Sequence, residues 1–147
     1  MSLLKIEDIK IKKQVICVHG ENAKNHNDAV VTLPKKILQL MIELKIFDAA
    51  GSDYLFSKNF KPGREYRSEK FFRDYWQRVL RKELNFPERY KFYSLKDTGI
   101  TNMLRQHVDT VSVRDQARHS SIEITNIYVP HDMKRANAQL TEYEDDF

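Results

Sequence analysis

The segment Ala117-Arg118-His119-Ser120-Ser121-Ile122-Glu123-Ile124-Thr125-Asn126-Ile127-Tyr128 places a histidine nine positions before a tyrosine. Another 23 positions upstream of His119 stands Lys96, within Tyr93-Ser94-Leu95-Lys96-Asp97-Thr98. A phenol has a pKa of about 10, so a tyrosine that acts as a nucleophile near neutral pH needs neighbouring cations or a base. A short helix between His119 and Tyr128 lets the two side chains meet at one site. Each residue taken alone also has a plainer reading. Tyr128 can be a helix-end aromatic on the core, His119 a capping or surface histidine, and Lys96 a helix-surface lysine. His19, His107 and His131 have no metal-ligand spacing, and the single cysteine, Cys17, excludes both an internal disulfide framework and a cysteine-cluster zinc site.

Together these residues resemble the tyrosine recombinase (phage integrase) family. Its catalytic half carries a His-x-x-Arg box, a later Gly-His-Ser-Ser-like box and a nucleophilic tyrosine, and both spacings here match the family's usual ones. The resemblance implies that DNA is cut and rejoined through a 3′-phosphotyrosine bond, with no metal or other cofactor. A phosphodiester resists attack because its oxygens are negative and its alkoxide is a poor leaving group. Catalysis therefore calls for a nucleophile, cationic donors to the phosphoryl oxygens and an acid for the 5′ oxygen. By the resemblance, Tyr128 is the nucleophile and His119 hydrogen-bonds the scissile phosphate. Lys24 matches the hairpin lysine that protonates the leaving oxygen, with His26 its nearby rival; in a polar turn, Lys24 is otherwise simply solvated. Lys96 stands where the family has arginine. It keeps the charge but loses the bidentate fork that matches two phosphate oxygens. Tyr93 stands where the family has histidine; it can donate a hydrogen bond but is a poor base at neutral pH, and Ser94 could substitute for it. Arg118, Arg105 and Ser94 are expected to contact DNA, the two arginines through the phosphate backbone rather than as catalysts.

The family's first catalytic arginine would lie upstream of the equivalent of Leu4-Lys5-Ile6-Glu7-Asp8-Ile9. The expectation is a catalytic-domain fragment, inactive by itself, of a bacterial mobile-element integrase. Its parent would be cytoplasmic and would act as a homotetramer on double-stranded DNA at specific recombination sites. The altered positions 93 and 96 motivate an alternative, a non-catalytic DNA-binding module that keeps the recombinase fold. A generic helical protein–protein domain would have to treat both spacings as accident. A type IB topoisomerase shares the chemistry, but Arg118-His119-Ser120-Ser121 looks like the integrases.

The elements that must position these residues are legible in outline. At 147 residues, 41% hydrophobic and 31% charged, the chain has the length and composition of one ordered domain. No run approaches the ~18 to 20 apolar residues of a membrane span, and the N-terminus lacks a signal-peptide core. Four acidic residues crowd the last six positions, which leaves 25 basic against 17 acidic residues elsewhere, a balance that favours a polyanionic partner. Val15-Ile16-Cys17-Val18 and Ala29-Val30-Val31-Thr32-Leu33 read as a hairpin with a long turn, preceded by a short strand at Ile9-Lys10-Ile11. Pro34 opens a helix with Ile37, Leu38, Leu40, Met41 and Leu44 on its buried side. Residues 51–67 read as loop. A helix from Ser68 carries Phe71, Phe72, Tyr75, Trp76, Val79 and Leu80 at helical spacing, a stripe expected to pack as core. Short helices follow over Ser94 to His107, Thr110 to Ala117 and Ser121 to Tyr128, with another after Pro130. Asp109 is the expected N-cap of the second, and Ser120-Ser121-Ile122-Glu123 a capping box for the third. The fold class is α+β, mostly helical with a small antiparallel β-sheet near the N-terminus. It divides into a hairpin region at 1–33, a helical catalytic core at 34–130, and a terminal helix with an acidic tail at 131–147. The tail helix, with Met133, Ala136 and Leu140 on one stripe, is expected to dock on a neighbouring protomer.

Overall fold

A computed structural model describes residues 3–22 and 26–129. The chain forms two compact units, Met1–Leu95 and Lys96–Phe147. The expected terminal helix beyond Pro130 lies outside the described residues.

The first unit is built on a three-stranded antiparallel sheet in the order β1 (Ile9–Lys10), β2 (Val15–Val18), β3 (Ala29–Thr32). Ile9 pairs with Ile16, and Val15 with Thr32 through to Val18 with Ala29. The β-branched runs of β2 and β3 suit a pleated surface, and their antiparallel register brings together the described ends of the turn between them. That turn is closed at its base. The Gly20 amide donates to Asp28 Oδ1 at 2.6 Å, and a Cβ at Gly20 would sit 2.6 Å from the His26 carbonyl oxygen, so only glycine fits. The sheet covers a core of Ile6, Ile9, Leu33, Ile46 and Leu55.

Pro34 caps α1 (Lys35–Glu43), its carbonyl accepting from the amides of Ile37 and Leu38. The buried side expected for this helix is corrected in part. Leu38 and Met41 pack on the core, while Ile37, Leu40 and Leu44 are exposed. The stretch offers apolar residues on two adjoining faces, and periodicity alone does not choose between them; Leu38 and Met41, three residues apart, form the face turned to the core.

The aromatic stripe lies on a continuous helical run: α2 (Glu69–Tyr75), a wider π turn at Trp76–Leu80, and α3 (Arg81–Glu83). Trp76 is buried and its indole N–H donates to the Tyr90 carbonyl at 3.0 Å. Phe72 meets Phe56 edge-on and stacks on Phe92, and Phe60 lies against Phe71 and Tyr75. These pairs place large apolar area in one cluster with the offset and edge geometries that aromatic rings favour.

The second unit holds most of α4 (Ser94–Arg105), with α5 (Thr110–Ala117) and α6 (Ile122–Asn126). Its buried side chains are Ile100, Val113 and Thr125. Asp109 caps α5 as expected, accepting from the Ser112 amide at 2.9 Å, and hydrogen bonding to Ser112 holds its carboxyl below the usual range. The capping box expected for α6 is corrected. The N-cap is Ser121 rather than Ser120, and its side chain does not cap a helix amide. That one-residue shift moves Glu123 from the third helical position to the second. There it pairs with the Ser121 side chain, which holds the Glu123 carboxyl below its usual range.

Candidate active site

Three turns of the second unit converge on Tyr128. The first turn of α4 carries Lys96 and Asp97, and Asp97 is anchored in that helix by its carbonyl, which accepts from the Thr101 hydroxyl at 2.9 Å. The chain leaves α5 through Arg118 in the left-handed conformation, φ 56°, so that it reverses sharply and delivers His119 toward α6. The His119 amide donates to the Arg114 carbonyl at 3.0 Å, which closes that reversal. α6 then carries Thr125, and Tyr128 follows one turn later with its amide donating to the Thr125 carbonyl at 3.0 Å.

The side chains meet as these turns dictate. His119 Nδ1 lies 2.9 Å from the Thr125 hydroxyl, whose residue is fully buried. The His119 and Tyr128 rings stack with centroids 6.1 Å apart and planes 21° from parallel. The Tyr128 hydroxyl donates to Asp97 Oδ1 at 2.8 Å, a bond that spans 31 residues of sequence. His119 titrates below its ordinary value of 6.5. Burial disfavours its charged form most, the Lys96 charge adds to this, and the Asp97 charge opposes both. Near neutral pH the ring is therefore neutral. With Nδ1 committed to Thr125, Nε2 is the nitrogen turned to other partners.

The structure thus brings together Tyr128, His119 and the first turn of α4. Tyr93 and Ser94 belong to the first unit: Tyr93 is exposed, and the Ser94 hydroxyl accepts from the Lys91 amide at 3.1 Å. Arg105 is the exposed last residue of α4, whereas Arg118 forms the turn beside His119. Lys24 lies outside the described residues. Its rival His26 is exposed, at φ 52°, at the end of the turn that Gly20 and Asp28 fasten.

Two residues of this cluster escaped the sequence reading. Asp97 is the immediate neighbour of Lys96, and an acid beside a required cation was the available sign. Thr125 stands three residues before Tyr128, one helical turn away, where a hydroxyl on the buried side of α6 can make a polar contact beneath the helix.

Among the described residues no group of three His, Cys, Asp or Glu side chains could hold a metal ion, and no helix is long and apolar enough to cross a membrane.

No curated protein sequence matches this chain significantly. Among solved structures, the crystal structure of XerA recombinase superposes with a TM-score of 0.69 at 22% identity, covering 89% of this chain and 46% of that one. The Tn1549 transposon integrase, solved in complex with a circular intermediate DNA, superposes with a TM-score of 0.61 at 12% identity, covering 88% of this chain and 48% of that one. The chain spans about half the length of both, and the fold it shares with them is that of tyrosine recombinase catalytic domains. The phage integrase family matches residues 1–135, so the chain belongs to the phage integrase family.

Proposed function

We propose that this chain carries out site-specific recombination of double-stranded DNA, cleaving and rejoining strands through a 3′-phosphotyrosine intermediate. The observation that carries this reading is the cluster at Tyr128. Its hydroxyl is held by Asp97, its ring lies against a neutral His119, and Lys96 is close enough to disfavour a second charge on that histidine. Tyr128 attacks the scissile phosphorus. His119, through Nε2, and Lys96 donate to the non-bridging oxygens, where charge grows in the transition state. Lys24 serves as the acid for the 5′ oxygen, with Tyr93 a further donor near the phosphate. Arg118, Arg105 and Ser94 contact the DNA backbone, and the assembled recombinase is a homotetramer on paired sites. A reaction of this kind belongs where bacterial DNA is, in the cytoplasm.

The exchange of arginine for Lys96 and of histidine for Tyr93 favours a second reading, a DNA-binding module without activity. One experiment separates the two. The full natural chain is incubated with a nicked suicide substrate, from which the short leaving strand diffuses away, and protein–DNA adduct is scored on a denaturing gel. Adduct formed by the wild type and lost in Tyr128→Phe supports recombinase chemistry. DNA binding without any adduct supports the module, and adduct that survives in Tyr128→Phe removes Tyr128 as nucleophile.

A further inference from the structure

Resting on the assignment of Tyr128 as nucleophile, we infer that Asp97 is the base of the cleavage step: it orients the Tyr128 hydroxyl and takes its proton as the oxygen attacks phosphorus. Three observations converge on this. The hydroxyl donates to Asp97 Oδ1 at 2.8 Å, within the range from which a proton can pass directly. Asp97 sits in the first turn of α4 with its backbone tied to Thr101, so its carboxylate is carried by a helix rather than a loop. The other ring beside the phenol, His119, already spends Nδ1 on Thr125, and the nitrogen that remains is the one suited to a phosphate oxygen.

The step balances. As the bond from Tyr128 Oη to phosphorus forms, the phenolic proton moves to Asp97 Oδ1. The bond from phosphorus to the 5′ oxygen breaks, its electron pair leaves with that oxygen, and the oxygen takes a proton from the acid on the leaving side. Rejoining runs the same path backwards: the 5′ hydroxyl attacks the phosphotyrosine, and protonated Asp97 returns its proton to the departing phenolate. A free phenol is a weak nucleophile at neutral pH, and its acidity rises as the new bond withdraws electron density. A carboxylate already hydrogen-bonded to it is therefore placed to accept the proton at the point where transfer becomes favourable. Tyr93, at the position where the family has histidine, is a poor base, so the role is open for another residue to fill.

The test is the rate of adduct formation by the full natural chain on the suicide substrate. Asp97→Asn keeps an oxygen that can accept the tyrosine hydrogen bond but cannot take its proton. It should slow adduct formation by about 10²- to 10⁴-fold, the usual span of general acid–base catalysis, with DNA binding unchanged. Asp97→Glu, which restores a base, should recover at least tenfold over the asparagine variant, and it supplies the readout if Asp97→Asn does not fold. A substrate with sulfur in place of the bridging 5′ oxygen needs no acid for its leaving group. The Asp97→Asn defect should persist on it. Near-normal or faster cleavage by Asp97→Asn overturns the proposal, the faster result marking the contact as a restraint on Tyr128. Recovery on the sulfur substrate overturns it too, because Asp97 would then act on the leaving group, and so does Asp97→Glu no faster than Asp97→Asn. Loss of adduct in Tyr128→Phe alongside normal cleavage by Asp97→Asn removes this inference alone, whereas adduct in Tyr128→Phe removes the functional reading beneath it.

Discussion

The two units fill their interiors differently. The first closes an aliphatic cluster of Ile6, Ile9, Leu33, Ile46 and Leu55 under the sheet and α1, and it also buries Trp76, Asp8 and Ser57. In the second, one of the three side chains buried most completely is Thr125, and its hydroxyl bonds a residue of the candidate site. A buried hydroxyl is costly unless it is hydrogen-bonded, so the packing of the second unit and the orientation of His119 are one arrangement. The buried Asp8 of the first unit bonds the Lys5 amide and His19, neither a residue of the candidate site, whereas the buried Thr125 of the second holds the ring of His119. Substitution of Leu33 should therefore read out as stability, and substitution of Thr125 as chemistry.

The largest expected effect falls on the first unit. Leu33→Ala removes a fully enclosed side chain and should cost about 2 to 5 kcal/mol of folding stability, measured by chemical denaturation. A cost well below ~1 kcal/mol would mean that the sheet and α1 do not share the core described here.

Next comes the charge beside the site. Lys96→Ala should reduce adduct formation by about 10²- to 10³-fold, as expected when one donor to a developing oxyanion is removed. Lys96→Arg should retain or raise activity, because arginine restores the bidentate fork. An alanine variant with near-normal activity would return Lys96 to the solvated surface.

A smaller effect, and a sharper contrast with Leu33, is expected at Thr125. Thr125→Val keeps the volume and removes the hydroxyl. It should change stability by no more than about 1 kcal/mol, yet lower the cleavage rate several-fold by releasing His119. A large stability loss with unchanged cleavage would place Thr125 with the apolar core and dissolve the difference between the units.

The smallest effect concerns pH. Burial, then the Lys96 charge, lowers the pKa of His119 in the folded chain. The unfolded chain then binds a proton that the folded chain refuses, so this stabilisation is complete above about pH 6.5 and is lost as pH falls through the folded pKa. Comparison of denaturation at pH 7.5 and 5.5 should show the wild type losing more stability than His119→Gln. Equal losses would mean that the ring is not held neutral by its surroundings.

How much of this was legible in the sequence depends on the range of the interaction involved. The β2–β3 hairpin and the Asp109 cap rest on residues close in sequence, and β-branched runs and an N-cap side chain announce them. The pairing of His119 with Tyr128 was legible because one short helix links them. Which face of α1 turns inward was not, since its two apolar faces adjoin and only the neighbouring core selects Leu38 and Met41. The contact of Tyr128 with Asp97 was hidden for a related reason: it joins residues 31 apart and depends on how α4 meets the turn that follows α6, which no local pattern encodes.

The central claim, that Tyr128 becomes covalently joined to DNA, can be read directly. Adduct from the suicide substrate is digested with trypsin and nuclease, and the peptide that retains a nucleotide is sequenced by mass spectrometry. Cleavage after Arg118 and Lys134 releases a peptide running from His119 to Lys134 in which Tyr128 is the only tyrosine. The nucleotide mass is expected on that peptide, localised to Tyr128. A nucleotide on any other peptide, or on another residue of this one, would contradict it.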